Sequence, residues 1–162
     1  MRILSVFVLL WASVATVVAQ IPAFQLKDIS GKSVQTEQLG AGDRPVAVSF
    51  FATWCKPCLR ELEAVSEVFE EWQEETGMEF VAVSIDEGVN SLKVKPLVAS
   101  RGWEFPVLLD PNSDFFRALG ATMVPSIFVF DAQGKIIYKH TGYTDGGEAE
   151  IIKAVRQAKQ KD

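Results

Sequence analysis

Cysteine and histidine are nearly missing from this chain: 162 residues hold two cysteines and one histidine. That excludes a cysteine-rich scaffold stapled by several crosslinks. It also argues against a zinc site, which needs about four ligands. The cysteines supply two, and His140 lies far away in sequence. Basic clusters are missing as well. Sixteen Lys and Arg face 21 Asp and Glu, for a formal net charge of −5. No stretch offers a footprint for nucleic acid or for an anionic membrane surface. There are no internal repeats and no low-complexity segment, and nothing after residue 19 is apolar for long enough to span a membrane.

One apolar run does stand out, at the start. "MRILSVFVLLWASVATVVAQ" carries Arg2 and then no charge from Ile3 to Ala19. Val17 and Ala19 fit the small-residue pattern of a cleavage site before Gln20. Residues 1–19 read as a secretory signal peptide. The other reading is an uncleaved anchor, although a 17-residue helix of about 25 Å is short for a bilayer core of about 30 Å. Membrane contact is expected only if that segment is retained. The remainder, 20–162, is the size of one domain. Without Arg2 its net charge goes from −5 to about −6.

The rest of the chain alternates strand and helix. "FQLKDISGKSVQTEQLG" reads as two short strands about Ser30-Gly31. Val46 to Ala52 is apolar except for Ser49, as in a strand buried on both faces. A helix follows, with Leu62, Val65, Phe69 and Trp72 on one face and Gly77 placed to stop it. "MEFVAVSID" is a second buried strand. "SLKVKPLVASRGW" is helical with Pro96 expected to disturb it. "FPVLLD" is a strand, and "SDFFRALG" a short helix capped by its Ser or Asp. "VPSIFVFDAQGKIIYKH" is a hairpin about Asp131–Gly134. "DGGEAEIIKAVRQAKQKD" is an amphipathic helix with Ile151, Ile152 and Val155 inward. The expected fold class is α/β, a mixed sheet covered by helices on both faces. Phe50, Phe51, Trp72, Phe80, Phe128 and Phe130 read as core and His140 as an edge or surface residue. "GYTDGGE" reads as a loop and helix cap.

The two cysteines, Cys55 and Cys58, sit where the first buried strand gives way to its helix. A crosslink over so short a loop barely restricts the unfolded chain, so a purely structural role is a poor reading. Cys55 falls at the helix start, where unpaired N–H groups and the dipole favour a thiolate. Lys56 adds positive charge, and Pro57 suits the first turn, where a missing N–H costs nothing. Cys58 falls inside the helix. The expectation is an exposed Cys55 that attacks and a shielded Cys58 that resolves the mixed disulfide.

"FFATWCKPCLREL", followed by "MVPSIFVFDAQGKI", resembles the thioredoxin superfamily, in particular the exported TlpA/ResA-like thiol-disulfide oxidoreductases. The likeness runs from about Pro22 to the C-terminus. It includes the opening "PAFQLKDISGKSV", an N-terminal hairpin in this reading, and a central insert over roughly Asp86 to Gly120. It implies that Cys55 and Cys58 are the redox pair and that Trp54 shapes the docking surface. It implies that Pro125 follows a cis bond and brings the backbone of Val124 beside the cysteines, where a client strand can pair with it. Cytosolic thioredoxins carry a buried Asp six residues before the first cysteine, where this chain has Ser49. ResA-like proteins place a Glu three residues after the second cysteine, here Glu61. At that spacing it shares a helix face with Cys58 and can serve as its base if burial raises its pKa. Seven glutamates lie between Glu61 and Glu75, so a solvated Glu61 is the competing reading.

The function so implied is reduction of disulfides in exported proteins in the periplasm or cell envelope, with apo-cytochrome c as one client class. No cofactor or metal is expected. A membrane thiol-disulfide donor would keep the dithiol reduced. Two other functions compete. A peroxiredoxin-like peroxidase would normally show Thr-X-X-Cys, whereas Thr53 precedes Cys55 by two residues. A client-binding module would dock partners without cycling electrons.

Overall fold

The structure is a computed structural model and is described here for residues 21–160. The leader reading, residues 1–19, lies outside these residues.

A seven-stranded mixed sheet runs in the order β2-β1-β5-β4-β3-β6-β7. β1 (Gln25–Asp28) and β2 (Ser33–Gln35) form the N-terminal hairpin. Its turn is closed by the Asp28 carboxylate, which accepts from the backbone N–H groups of Ser30 and Lys32 and from the Ser30 hydroxyl. β3 (Val46–Phe51) sits in the interior, parallel to β4 (Glu79–Ser84) and antiparallel to β6 (Ser126–Phe130). β5 (Val107–Leu109) pairs parallel to β4 and antiparallel to β1, and β7 (Ile136–Thr141) closes the far edge beside β6.

Helices cover both faces. α1 (Lys56–Thr76), α2 (Val94–Arg101) and α4 (Glu148–Lys159) lie over one face, where Leu62, Val65, Val98 and Ile151 meet Ala47, Phe51, Phe80 and Val129. α3 (Asp114–Ala118) lies over the other, where Phe115 and Phe116 meet Val48, Phe50, Val83 and Phe128. The alternation of β3 side chains feeds the two cores in turn, as a strand buried on both faces requires. All six aromatics read as core are buried. α1 stops at Gly77, whose φ of 69° suits a residue without Cβ. His140 lies half-buried on the edge strand β7, its ring stacked on Tyr138 two residues away.

Two local expectations need correction. Pro96 does not disturb α2, because it is the third residue of that helix. The first-turn N–H groups have no intrahelical acceptor, so proline removes nothing there. A 3₁₀ turn over Gly88–Lys93 leads into it. The cap of α3 is neither Ser113 nor Asp114. Asp110, buried just after β5, accepts from the backbone N–H groups of Asp114 at 2.9 Å and Phe116 at 2.9 Å.

Asp110→Ala removes both acceptors and is expected to destabilise the fold by about 2 kcal/mol. Urea unfolding should show a lower midpoint with an unchanged slope. An unchanged midpoint would show that water replaces the cap at no cost.

Candidate active site

The sheet register assembles the site at one end of the molecule. Phe51 pairs with Ser84 and Phe50 with Ser126, while Ser126 pairs with Thr141. The segments that leave β3 and β4, enter β6 and leave β7 therefore converge there. Phe51 hands over to Ala52–Cys55, a turn closed by the Cys55 N–H on the Ala52 carbonyl at 3.0 Å. Cys55 is the N-cap of α1 and Lys56 and Pro57 are its first two residues, as the sequence predicts.

Cys55 and Cys58 form a disulfide, with 5.3 Å between their Cα atoms. The Cys58 backbone N–H points at the Cys55 sulfur at 3.3 Å. That N–H is one of the unpaired donors of the helix start, and it favours negative charge on this sulfur. The expected exposure of Cys55 is corrected. The residue is only 6% exposed, against 0% for Cys58. The reason is packing: joined to Cys58, it belongs to the apolar cluster of Ala52, Leu62 and Ile127, against which Val124 also packs. What surface the pair offers still belongs to Cys55.

Around the pair, Trp54 is 66% exposed, rather more than a half-covered residue. The Val124–Pro125 peptide bond is cis, Pro125 is buried and Val124 half-buried. The segment is tied down twice: the Gly142 N–H, just after β7, donates to the Pro125 carbonyl, and the Ser126 hydroxyl at the start of β6 donates to the Met123 carbonyl. Met123, not singled out from the sequence, is 59% exposed beside Val124.

Glu61 is not one more solvated glutamate. It is buried beneath α1, one turn beyond Cys58, and accepts from the Ser49 hydroxyl at 2.8 Å. Burial pushes its carboxyl up to about 7. The Ser49 hydrogen bond opposes that rise, and the negative charge of Glu148 adds to it. Glu148 opens α4, and one of its oxygens is buried without a hydrogen-bond partner. Ser49 therefore stands where cytosolic thioredoxins have their acid, and the acid comes from the helix above. Period-two alternation along β3 puts Ser49 on the face of Ala47 and Phe51, under α1, so that partnership could have been read from the sequence. The part of Glu148 could not, since it depends on how α4 docks.

This geometry places a disulfide-forming cysteine pair at a helix start, with the carboxyl of Glu61, raised to about 7, behind it. Residues 17–139 match the AhpC/TSA family. The chain belongs to that family. Relatives include the thiol-disulfide oxidoreductase ResA of Bacillus thuringiensis (strain Al Hakam), 32% identical over 122 residues, which are 75% of this chain and 67% of that protein. A thioredoxin-like protein from Porphyromonas gingivalis has a solution structure that superposes with a TM-score of 0.74 at 58% identity, over 86% of this chain and 92% of that one. Peroxidoxin BcpB from Mycobacterium tuberculosis shares the fold at 18% identity, with a TM-score of 0.73 over 86% of this chain and 96% of that one. The thioredoxin-like architecture expected from the sequence is thus the one observed. It also carries more than one chemistry, so the side chains must discriminate.

A carboxyl raised from 4.5 to about 7 by folding favours the native state below its unfolded value and loses that advantage as pH rises through the folded one. Glu61→Gln keeps the hydrogen-bonding oxygen and loses the titration. Relative to the parent, the variant should gain about 3 kcal/mol of stability between pH 4 and pH 8. Denaturant unfolding of both proteins across that range measures it. Parallel curves would place the Glu61 carboxyl in the ordinary range.

Proposed function

We propose that the protein is an exported thiol-disulfide oxidoreductase that reduces disulfides in other exported proteins. The observation that carries this reading is the buried acid Glu61 one turn beyond Cys58, with its pKa near 7. A resolving cysteine that is wholly buried needs a base within the protein, and this carboxylate is available at neutral pH.

The cycle starts from the dithiol. The Cys55 thiolate, favoured by the helix start and by Lys56, attacks one sulfur of a client disulfide. A Cys55–client disulfide forms, the client bond breaks, and the first client sulfur leaves as a thiolate. Glu61 then takes the proton of Cys58. The Cys58 thiolate attacks the Cys55 sulfur, the Cys55–Cys58 disulfide forms, and the second client thiolate leaves. Two electrons pass from the pair to the client, and the client thiolates gain two protons from solvent and from Glu61. Trp54 and Val124 form the docking surface, with the buried Pro125 behind Val124 and client backbone pairing along Val124. Export rests on the reading of residues 1–19 as a leader, and an envelope donor of electrons would return the pair to the dithiol. Apo-cytochrome c is the client class that the ResA likeness suggests.

Cys58→Ser tests the reading, because it leaves no second thiol in the protein. Expressed with its own leader, the variant should accumulate reductant-sensitive adducts that mass spectrometry can name, and Cys55→Ser should not. Apo-cytochromes among the adducts would support maturation, and a broad set of exported proteins general reduction. A folded, exported variant without adducts would leave a binding module in its place. Rapid consumption of peroxide by the parent would instead favour a peroxidase.

Glu61→Gln should also slow client reduction by about a hundredfold, the low end of what general acid–base catalysis supplies. The parent rate should rise as pH passes through about 7, and the variant should lack that inflection. Superimposable pH–rate profiles would remove Glu61 from the mechanism.

A further inference from the structure

A second buried acid lies at the redox end, and the cycle above does not use it. Asp86 follows β4 and is 2% exposed. Its Oδ2 accepts from the Thr53 backbone N–H at 2.8 Å and from the Ser84 hydroxyl at 2.8 Å, and its Oδ1 accepts from the Thr53 hydroxyl at 2.7 Å. The Asp86 N–H in turn donates to the Ser84 hydroxyl at 3.1 Å. Both oxygens are acceptors, as in a carboxylate. Among the described residues no cation forms a salt bridge to it. The carboxylate therefore grips the turn two residues ahead of Cys55, and it does so out of water, where a charge is poorly screened.

We propose that Asp86 is a positioning residue for the redox turn, whose fixed negative charge opposes the Cys55 thiolate and so makes the dithiol a stronger reductant. The inference rests on the dithiol–disulfide cycle proposed above. A helix start and Lys56 both favour the thiolate, which is the reduced form of Cys55. Left alone, they would stabilise the reduced protein and make it a weak donor of electrons. Asp86 acts in the opposite direction, and its three donors hold it in place. Other ionisable groups at this end are Lys56, Arg60 and Glu61 on α1, Glu87 beside Asp86, and Tyr143, Asp145 and Glu148 on the segment entering α4.

Asp86→Asn removes the charge at nearly constant volume and leaves all of those groups in place. Three measurements apply: thermal stability, the glutathione equilibrium of the Cys55/Cys58 couple, and the pH midpoint of Cys55 alkylation. The expected result is an equilibrium shifted about tenfold toward the reduced protein, about 30 mV for a two-electron couple, with the alkylation midpoint moved to lower pH. A merely structural clamp would lower stability and leave both redox readouts where they were. An unchanged or opposite shift in a folded variant overturns the proposal.

Thr53→Val separates charge from loop loosening, and it decides the matter if Asp86→Asn does not fold. It deletes one hydroxyl donor and keeps both the charge and the Thr53 backbone N–H. With the charge less compensated, the alkylation midpoint should stay or rise. A fall would assign the effect to loosening of the turn and overturn the proposal. Failure of the underlying cycle would look different, since the parent itself would then not reduce a client disulfide.

Discussion

The redox end depends on how abruptly β3 becomes α1. Four residues, Ala52 to Cys55, separate a strand buried on both faces from a 21-residue helix. So short a connection leaves the helix start facing the end of the sheet, and its unpaired N–H groups must find acceptors there. The Cys55 sulfur takes one of them. This is where a sulfur anion is favoured, and the local sequence supplies what the turn needs: a proline that lacks an N–H at the second helical position and a cap residue in extended conformation. The disulfide, the exposed Trp54 and the buried acids Glu61 and Asp86 are all placed relative to that junction.

The same junction explains why the site is expensive in stability. Ser49 and Glu61 occupy positions on β3 and α1 that apolar residues fill elsewhere along both elements. Burial of a carboxyl with one hydrogen bond disfavours its charged form, which is why its pKa is raised to about 7. An acid comfortable in water would titrate too low to accept a thiol proton efficiently. In the proposed cycle the destabilisation and the chemistry are one property of the residue. Phe51, Phe69, Phe80, Trp103 and Phe105, packed in the same layer, supply the apolar area that lets the fold carry it.

Much of this was legible in the sequence because it is local or periodic. The apolar run of β3, the spacing of Leu62, Val65, Phe69 and Trp72, and the turns at Ser30-Gly31 and Asp131–Gly134 each follow from short-range physics. The cis bond before Pro125 came from the family resemblance. A helix begun at Ser91 would put Pro96 in its interior; the Gly88–Lys93 segment forms a 3₁₀ turn instead, which leaves the proline in the first helical turn. Asp110 lies just after β5, outside the local window of the helix it caps, and its carboxylate reaches forward to that helix. The burial of Cys55, the grip of Asp86 on Thr53 across 33 residues and the charge of Glu148 near Glu61 are tertiary, and no spacing rule reports them.

The likeness to a peroxidoxin makes the division of labour between fold and site concrete. The sheet and the β3–α1 junction would activate a cysteine for either chemistry, since a thiolate at a helix start can attack oxygen or sulfur alike. What distinguishes this chain lies one turn deeper. A peroxidatic cysteine can do its first step alone, whereas a reductant of disulfides must release its client by a second thiol inside the same helix. That thiol is buried, and buried thiols ionise poorly. A proton acceptor behind Cys58 is therefore of use mainly to the second chemistry, and in this structure Glu61 occupies that place while Thr53, the residue nearest to a peroxidase motif, is engaged by Asp86 instead.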